Sequence, residues 1–408
     1  MTEQSSQYRD DQPLAVHIGP TPFFSNRGCH IRIMNEIRGL QSCGCRVILC
    51  TYGLGSDVDG VEVRRIWPIP GYTKTSAGFS VFKPLADVLL LFLVLKVVWQ
   101  ERVTIIHGHL HEGALLGWCV KLMLFWRRIR LVMDMQGSLS GELQAYGTIS
   151  KKGMLHRAVY WFERLIYRLP DWIVCSSEAS VRFLESARGG STGRVDLVGD
   201  VVPEQFFLTA DKNELRRKLG IALEPDVIIY SGSLLAGKGV DILLEALIPL
   251  MADNTDCIFV LVGYPKQWVE KQVNRAGLAG RVILPGQVDY FQLADWLGAA
   301  DLAVDPKPSG SGEASGKILH YMGAGLPVVC FPTKNNIHYL GDHGFYAADE
   351  LQNPAGKAAA LSQTIQKALA DTELRKEFGA LGRSRIRSTY SVEAAGEQLL
   401  AVYHQLSP

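Results

Sequence analysis

The 408-residue chain has almost no net charge, with 42 Lys and Arg against 41 Asp and Glu. No global field draws it to nucleic acid, so that class of partner is excluded as an expectation. Its eight cysteines, at positions 29, 43, 45, 50, 119, 175, 257 and 330, form no Cys-x-x-Cys pair. Cys50, Cys175 and Cys330 stand in or beside apolar runs. Buried free thiols in a reducing compartment are therefore expected, against the alternative of Cys43-Gly-Cys45 as half of a metal site. The first twelve residues are polar and lack an apolar signal core, which argues for a cytoplasmic location. No apolar run reaches the about 20 residues a membrane span needs. Val88 to Trp99 (VLLLFLVLKVVW) is shorter and contains Lys96, so it reads as a buried helix. Lys121 to Arg130 (KLMLFWRRIR) mixes apolar bulk with arginines. That composition suits a patch on the cytoplasmic membrane face, and peripheral membrane contact is an expectation. P-loop and GxGxxG patterns are missing as well, so any phosphate needs a different cradle.

What is present is an alternation of short apolar runs and longer amphipathic stretches. The length suggests two domains. In the first half, strands are expected at 14–18, 46–51, 61–66, 103–107, 131–134, 172–176 and 194–198. Helices are expected at 31–42, 85–101 and 113–125. The second half restarts with strands at 227–231, 257–263, 282–285, 302–305 and 328–331, and helices at 240–251 and 316–323. This rhythm predicts two doubly wound, Rossmann-like α/β domains with parallel sheets. The hinge falls at 199–210, around Pro203. Ligands in such sheets bind at the carboxyl ends of the strands, so a cleft between two facing domains is where chemistry is expected.

Four segments carry candidate residues. Ser231 to Asp241 (SGSLLAGKGVD) joins a strand to a helix through glycines that let amides approach an anion, with Lys238 beside them. The competing reading is a tight turn with a solvated lysine. Pro308 to Pro327 (PSGSGEASGKILHYMGAGLP) is a Ser/Gly loop entering a short helix. Amides around Ala314, Ser315 and Gly316 are candidates for further phosphate oxygens, and Lys317 and His320 share a face. Glu313 and Lys317 are four apart, so a helix salt bridge is the competing reading for both. His107-Gly-His-Leu-His-Glu112 ends an apolar strand. If the strand continued, His107, His109 and His111 would share one face, as in a metal site. A neutral histidine bonding a sugar hydroxyl is the other reading, and a core histidine a third. Finally, Gly19 to Gly28 (GPTPFFSNRG) follows the first strand, where Arg27 and Gly28 could approach a phosphate.

Together these runs resemble the retaining glycosyltransferases of family 4, group 1, across residues 14 to 390. YSGSLLAGKGVDILLEAL is similar to the family's strand, loop and helix with a donor-phosphate lysine, and FVLVGYP to the strand that follows. VILPGQVDYFQLADWLGAADLAVDP is similar to the segment lining the base pocket, and GKILHYMGAGLPVVCF to the signature helix. The resemblance implies the GT-B fold: an acceptor-facing domain at 1–202, a nucleotide-sugar domain at 203–385, and a helix at 386–408 that returns to the first domain. It implies a hexosyltransferase that moves a sugar from a nucleotide diphosphate to a glycan, lipid-linked or small-molecule acceptor, retaining configuration and with no obligatory metal or other cofactor. The implied donor set is Gly28, Ser233, Lys238, Gly286, Val288, Glu313, Ala314, Ser315, Gly316, Lys317 and His320. Either His109 or His111 faces the transferred sugar, Glu313 holds its hydroxyls, and Arg27, Asp134 and Gln136 face the acceptor.

The sequence departs from the family at two places. Ser233 stands where the family has an arginine, and His320 where it has the second of two glutamates, with Glu313 in place of the first. Lys238 and backbone amides would then stabilise the leaving diphosphate. Two competing functions follow from the same residues: a nucleotide-sugar-binding protein without catalysis, and a metal-dependent hydrolase built on His107, His109 and His111.

Overall fold

The computed structural model describes residues 12–25, 28–75, 80–140, 153–188, 194–207, 210–252, 256–308, 316–349 and 353–406. In chain order the elements are β1 (Ala15–Gly19), α1 (Gly28–Ser42), β2 (Val47–Thr51), β3 (Glu62–Arg65), α2 (Lys83–Gln100), β4 (Ile105–His109), α3 (Leu110–Met123), β5 (Arg130–Met135), α4 (Met154–Ile166), β6 (Trp172–Cys175), α5 (Glu178–Arg188) and β7 (Val195–Leu197). There follow α6 (Lys212–Leu219), β8 (Asp226–Ser231), α7 (Val240–Ala252), β9 (Cys257–Val262), α8 (Gln267–Arg275), β10 (Val282–Gly286), α9 (Leu293–Gly298) and β11 (Leu302–Asp305). The chain ends with α10 (Lys317–Gly323), β12 (Val328–Cys330), α11 (Lys334–Leu340), β13 (Phe345–Tyr346), α12 (Pro354–Ala370), α13 (Thr372–Thr389) and α14 (Val392–Leu406).

Two compact units result: the chain up to Val201 together with Val392 onward, and Val202–Ser391. The first holds a seven-stranded sheet in the order β3-β2-β1-β4-β5-β6-β7, the second a six-stranded sheet in the order β10-β9-β8-β11-β12-β13. The strand pairs are parallel throughout both sheets. Central strands such as Val47-Ile48-Leu49 and Ile228-Ile229-Tyr230 are buried on both faces, which is why their sequences read as unbroken apolar runs. In each sheet the strand order reverses once, between β1 and β4 and between β8 and β11. Chains leaving neighbouring strands there turn to opposite faces, which opens a crevice at the carboxyl ends.

Every strand expected from the sequence is present to within two residues, and β13 is an addition. Helices α4, α5, α6, α8, α9, α11, α12 and α13 went unread. In α13 the buried positions are Arg375, Gly379, Gly382 and Ile386, so no apolar period marks it. It belongs to the second unit, and the return to the first unit begins only at Val392.

Helix α14 crosses α1 backbone to backbone. A Cβ on Gly396 would stand 2.1 Å from the Gly39 carbonyl oxygen, and one on Gly39 would stand 2.5 Å from that of Val392. No rotamer relieves a contact with main chain. Gly396→Ala should therefore cost about 1–3 kcal/mol in urea unfolding. Gly28→Ala, where a Cβ meets nothing within 4 Å, should not destabilise. Equal losses in both variants would contradict this crossing.

Candidate functional site

In the first unit, strand register assembles a buried polar cluster at the reversal point. His17 of β1 lies opposite His107 of β4, and His109 opposite Asp134 of β5. The His107 and His109 rings stack at 4.9 Å. His17 Nδ1 is 2.9 Å from His109 Nε2, and its Nε2 is 3.0 Å from the Tyr403 hydroxyl of α14. The same hydroxyl is 2.8 Å from His107 Nδ1, and His109 Nδ1 is 3.0 Å from Asp134 Oδ2. Helix α1 adds Arg32, which donates to Asp134 Oδ1 from Nε at 3.0 Å and from Nη2 at 2.8 Å. Gln136 Nε2 donates to the other carboxylate oxygen at 2.7 Å. Glu36 lies one turn on, 2.8 Å from Arg32 Nη2. Its oxygens make a charge contact there rather than a hydrogen bond.

Burial sets the protonation of this cluster. It pushes His17 and His107 well below their ordinary 6.5, with further lowering from the neighbouring histidines. Burial also raises Glu36 well above the carboxylate range, against the pull of Arg32. Burial would raise Asp134 too, but Arg32 and His109 overcome it and hold that carboxylate well below its ordinary value. The result is one ionised pair, Arg32 with Asp134, beside neutral His17, His107 and Glu36. Among the described residues His17, Glu36 and His109 bring ligand atoms within 4.8 Å of one another, the spacing a cation would need. Arg32 already supplies positive charge at that point.

The expectation that His107, His109 and His111 share one face is corrected. The strand stops at His109, and Leu110 takes a φ of 61° as it opens α3. His111 is thereby carried to a separate place, 3.0 Å from the Tyr167 hydroxyl and 3.4 Å from Glu163. His109 and His111 are both buried in the first unit. Gly28 is exposed and opens α1, while Arg27 lies outside the described residues. Sequence reading missed His17, Arg32, Glu36 and Tyr403. The signal within reach was Arg32 and Glu36, a charged pair four apart on a helix whose buried residues also include Ile33 and Ile37.

In the second unit, the glycine loop after β8 meets the end of β11. Gly239 has a φ of 79°, and a Cβ there would stand 2.1 Å from the Pro306 carbonyl oxygen. Lys238, half-buried, ends a 3-10 turn just before it. Lys317, the first residue of α10, comes to the same loop: a Cβ on Gly232 would stand 3.3 Å from its Nζ. That ammonium lies 4.2 Å above the Tyr230 ring and 3.4 Å from the buried Asp305 carboxylate. Asp305 is thus the described partner of Lys317. Glu313, with Ala314 and Ser315, lies outside the described residues. Tyr230 donates to the Ser233 carbonyl at 2.9 Å, which fixes the loop next to Lys317. Gly316 caps α10, and its carbonyl lies 3.2 Å from His320 Nδ1. His320 Nε2 is 2.9 Å from the Tyr290 hydroxyl, and its ring meets Phe206 edge-on at 4.5 Å. Gly286 ends β10, with Val288 half-buried beyond it. The carboxyl ends of β8 and β11 therefore bring Lys317 to the Gly232–Ser233 loop, and Lys238 follows in the same loop.

Two family models match the chain: "Glycosyl transferase 4-like domain" over residues 27–200 and "Glycosyl transferases group 1" over residues 225–371. The chain belongs to the group 1, family-4-like glycosyltransferases. Among its relatives is the alpha-D-kanosaminyltransferase of Streptomyces kanamyceticus, 25% identical over 261 residues, which are 60% of this chain and 66% of that one. Sucrose-phosphate synthase from Thermosynechococcus elongatus superposes with a TM-score of 0.74 at 17% identity, covering 97% of this chain and 99% of that one. HepE of Anabaena, in complex with UDP and glucose, gives 0.71 at 18% identity, covering 96% and 99%. These likenesses establish the GT-B fold of two Rossmann-like units.

The neutral histidines make a pH prediction. Below 6.5 the unfolded chain binds protons at His17 and His107 that the folded chain does not, so stability is full above 6.5 and falls with pH. Glu36, protonated when folded, offsets part of this over the same range. A net slope that grows as pH falls, approaching one proton or about 1.4 kcal/mol per pH unit near pH 5.5, is expected from urea unfolding. His17→Asn with His107→Asn should leave only the opposing Glu36 contribution, so that stability no longer falls with pH but rises as pH drops. A fall with pH that survives the double change would contradict the assignment.

Proposed function

We propose that the protein transfers a sugar from a nucleotide diphosphate donor to a glycan, lipid-linked or small-molecule acceptor. The observation that carries this reading is the Lys317 ammonium beside the Gly232–Ser233 loop, at the carboxyl ends of β8 and β11, with Lys238 further along the same glycine loop. The leaving group of such a transfer is a diphosphate that gains charge as the glycosidic bond breaks. Two ammonium groups aimed at that charge lower the barrier more than they tighten ground-state binding. Lys317 supplies the second cation in a chain that has Ser233 where the family has arginine. Its partners suit this work: Asp305 and the Tyr230 face hold the ammonium in place. The HepE structure with UDP and glucose supports a nucleotide-sugar donor.

In this reading Gly286, Val288 and His320 lie at the nucleoside, with Tyr290 orienting the imidazole. Gly28, Gly316 and the loop residues Glu313, Ala314 and Ser315 complete the donor set. Asp134 and Gln136, joined to each other, and Arg27 serve the acceptor side. His109 acts toward the transferred sugar, and Asp134 fixes its ring through Nδ1. His111, bonded to Tyr167, is the alternative. Retention of configuration and independence from metal are parts of the same proposal, because lysines neutralise the diphosphate.

The test is the unfolding shift of the full chain with UDP, GDP, ADP, CMP or inorganic phosphate, each with and without EDTA. One nucleoside diphosphate should stabilise the chain, by about 2.7 kcal/mol at about a hundred times its dissociation constant. EDTA should not change the shift. Lys317→Ala and Lys238→Ala should each weaken binding about ten- to a hundredfold. No shift with any nucleotide, together with destabilisation by EDTA alone, would overturn the reading in favour of a metal enzyme.

A further inference from the structure

Helix α2 has two apolar sides. Ala86, Leu90, Val94, Val97 and Val98 are buried. On the opposite side Leu85, Val88, Phe92 and Trp99 are exposed, with Lys96 in the same stripe. A helix apolar on both sides is ordinarily covered on both. The exposure continues beyond α2. The last turn of α3 presents Leu122 and Met123, and the 3-10 turn that follows presents Phe125 at 73% and Trp126 at 56% exposure. Those two rings pack edge to face at 5.3 Å. Arg127 joins this turn to the end of α2: it donates to the carbonyls of Val98, Trp99 and Glu101, and its guanidinium lies 5.6 Å from the Trp99 ring. Helix α3 packs against both α2 and α4, and α4 also exposes Trp161 and Leu165. The three helices are neighbours in one layer, and their outward sides are apolar.

The most exposed charges around this surface are cations, while its carboxylates, Asp171 with Lys121 and Arg130 among them, are paired. The carboxylates of these helices are engaged elsewhere: Asp87 by Tyr52, Glu112 by Lys83 and Glu163 by Tyr167 and Ser140. Glu101, just past α2, pairs with Arg46. Exposed side chains between them include Lys96, Arg128, Arg130, Arg157 and Arg168. Exposed tryptophans beside arginines on an apolar ground are the composition of a membrane–water interface. A second copy of the chain would bring the same cations to a self-complementary interface, which like charge opposes. No helix among the described residues is long and apolar enough to cross a membrane.

We propose that the outer face of α2, α3 and the Phe125–Arg127 turn, extended by α4, docks on a lipid bilayer carrying anionic headgroups. Apolar side chains enter the headgroup boundary while Lys96, Arg128 and Arg130 meet the phosphates. The proposal stands on the first unit alone and does not depend on the donor reading.

The test is flotation of the full chain with phosphatidylcholine vesicles, with and without phosphatidylglycerol. Binding should require phosphatidylglycerol and weaken with salt. Phe125→Ser with Trp126→Ser, and separately Lys96→Glu with Arg128→Glu, should each reduce partitioning about tenfold or more. All four side chains are exposed, and unchanged unfolding midpoints would show that the variants fold. Failure to float with either vesicle would overturn the proposal, as would flotation untouched by both variants. A dimer in sedimentation velocity that the Phe125/Trp126 change dissociates, without vesicle binding, would assign the face to a second copy instead. Nucleotide-induced stabilisation, measured in parallel, separates failure here from failure of the donor reading.

Discussion

A parallel sheet whose strand order reverses cannot close its carboxyl edge at the reversal, because the two chains leaving it turn to opposite faces. Both sheets obey this constraint, and both candidate sites stand where it acts. Between β1 and β4 the register sets His17 beside His107, and β5 brings Asp134 beside His109. Between β8 and β11 the same opening admits the glycine loop, which rests against Pro306 and is met by Lys317 from α10. The chemistry differs between the two because the side chains delivered to the openings differ.

In the first unit the side chains at the opening are buried. One guanidinium, Arg32, faces two carboxylates: burial raises both, Arg32 and His109 overcome it at Asp134 and keep it ionised, and at Glu36 burial prevails. Burial keeps His17 and His107 neutral. Neutral imidazoles can accept and donate at fixed atoms, and the Tyr403 hydroxyl bridges two of them from the far end of the chain. In the second unit Gly232 is exposed and the Lys317 ammonium stands beside it, so that opening suits an anionic ligand.

Much of this was legible in the sequence, and the reason is physical. Strands buried on both faces must be continuous apolar runs, so IIYS, FVLV and LAVD announced themselves. Helices such as α13, which buries glycines and an arginine, carry no such mark. The phosphate loop could be read because its glycines and Lys238 are contiguous. The partner of Lys317 could not, since Asp305 is far off in spacing terms and Glu313 offered a nearer pairing. The polar cluster of the first unit was the least legible part. His17, Arg32, His107, Asp134 and Tyr403 come from five elements, and only strand register and the α1–α14 crossing bring them together. The outward apolar side of α2 was also hidden, because an apolar run reads as buried whichever way half of it faces.

The most direct test of sugar transfer is turnover. Nucleoside diphosphate released from UDP-, GDP- and ADP-sugars would be measured with the full chain and a crude acceptor extract, with and without EDTA. The account predicts release from one donor class, dependent on the extract, indifferent to EDTA and largely lost in Lys317→Ala. No release from any nucleotide sugar, or release abolished by EDTA and untouched by Lys317→Ala, would contradict it.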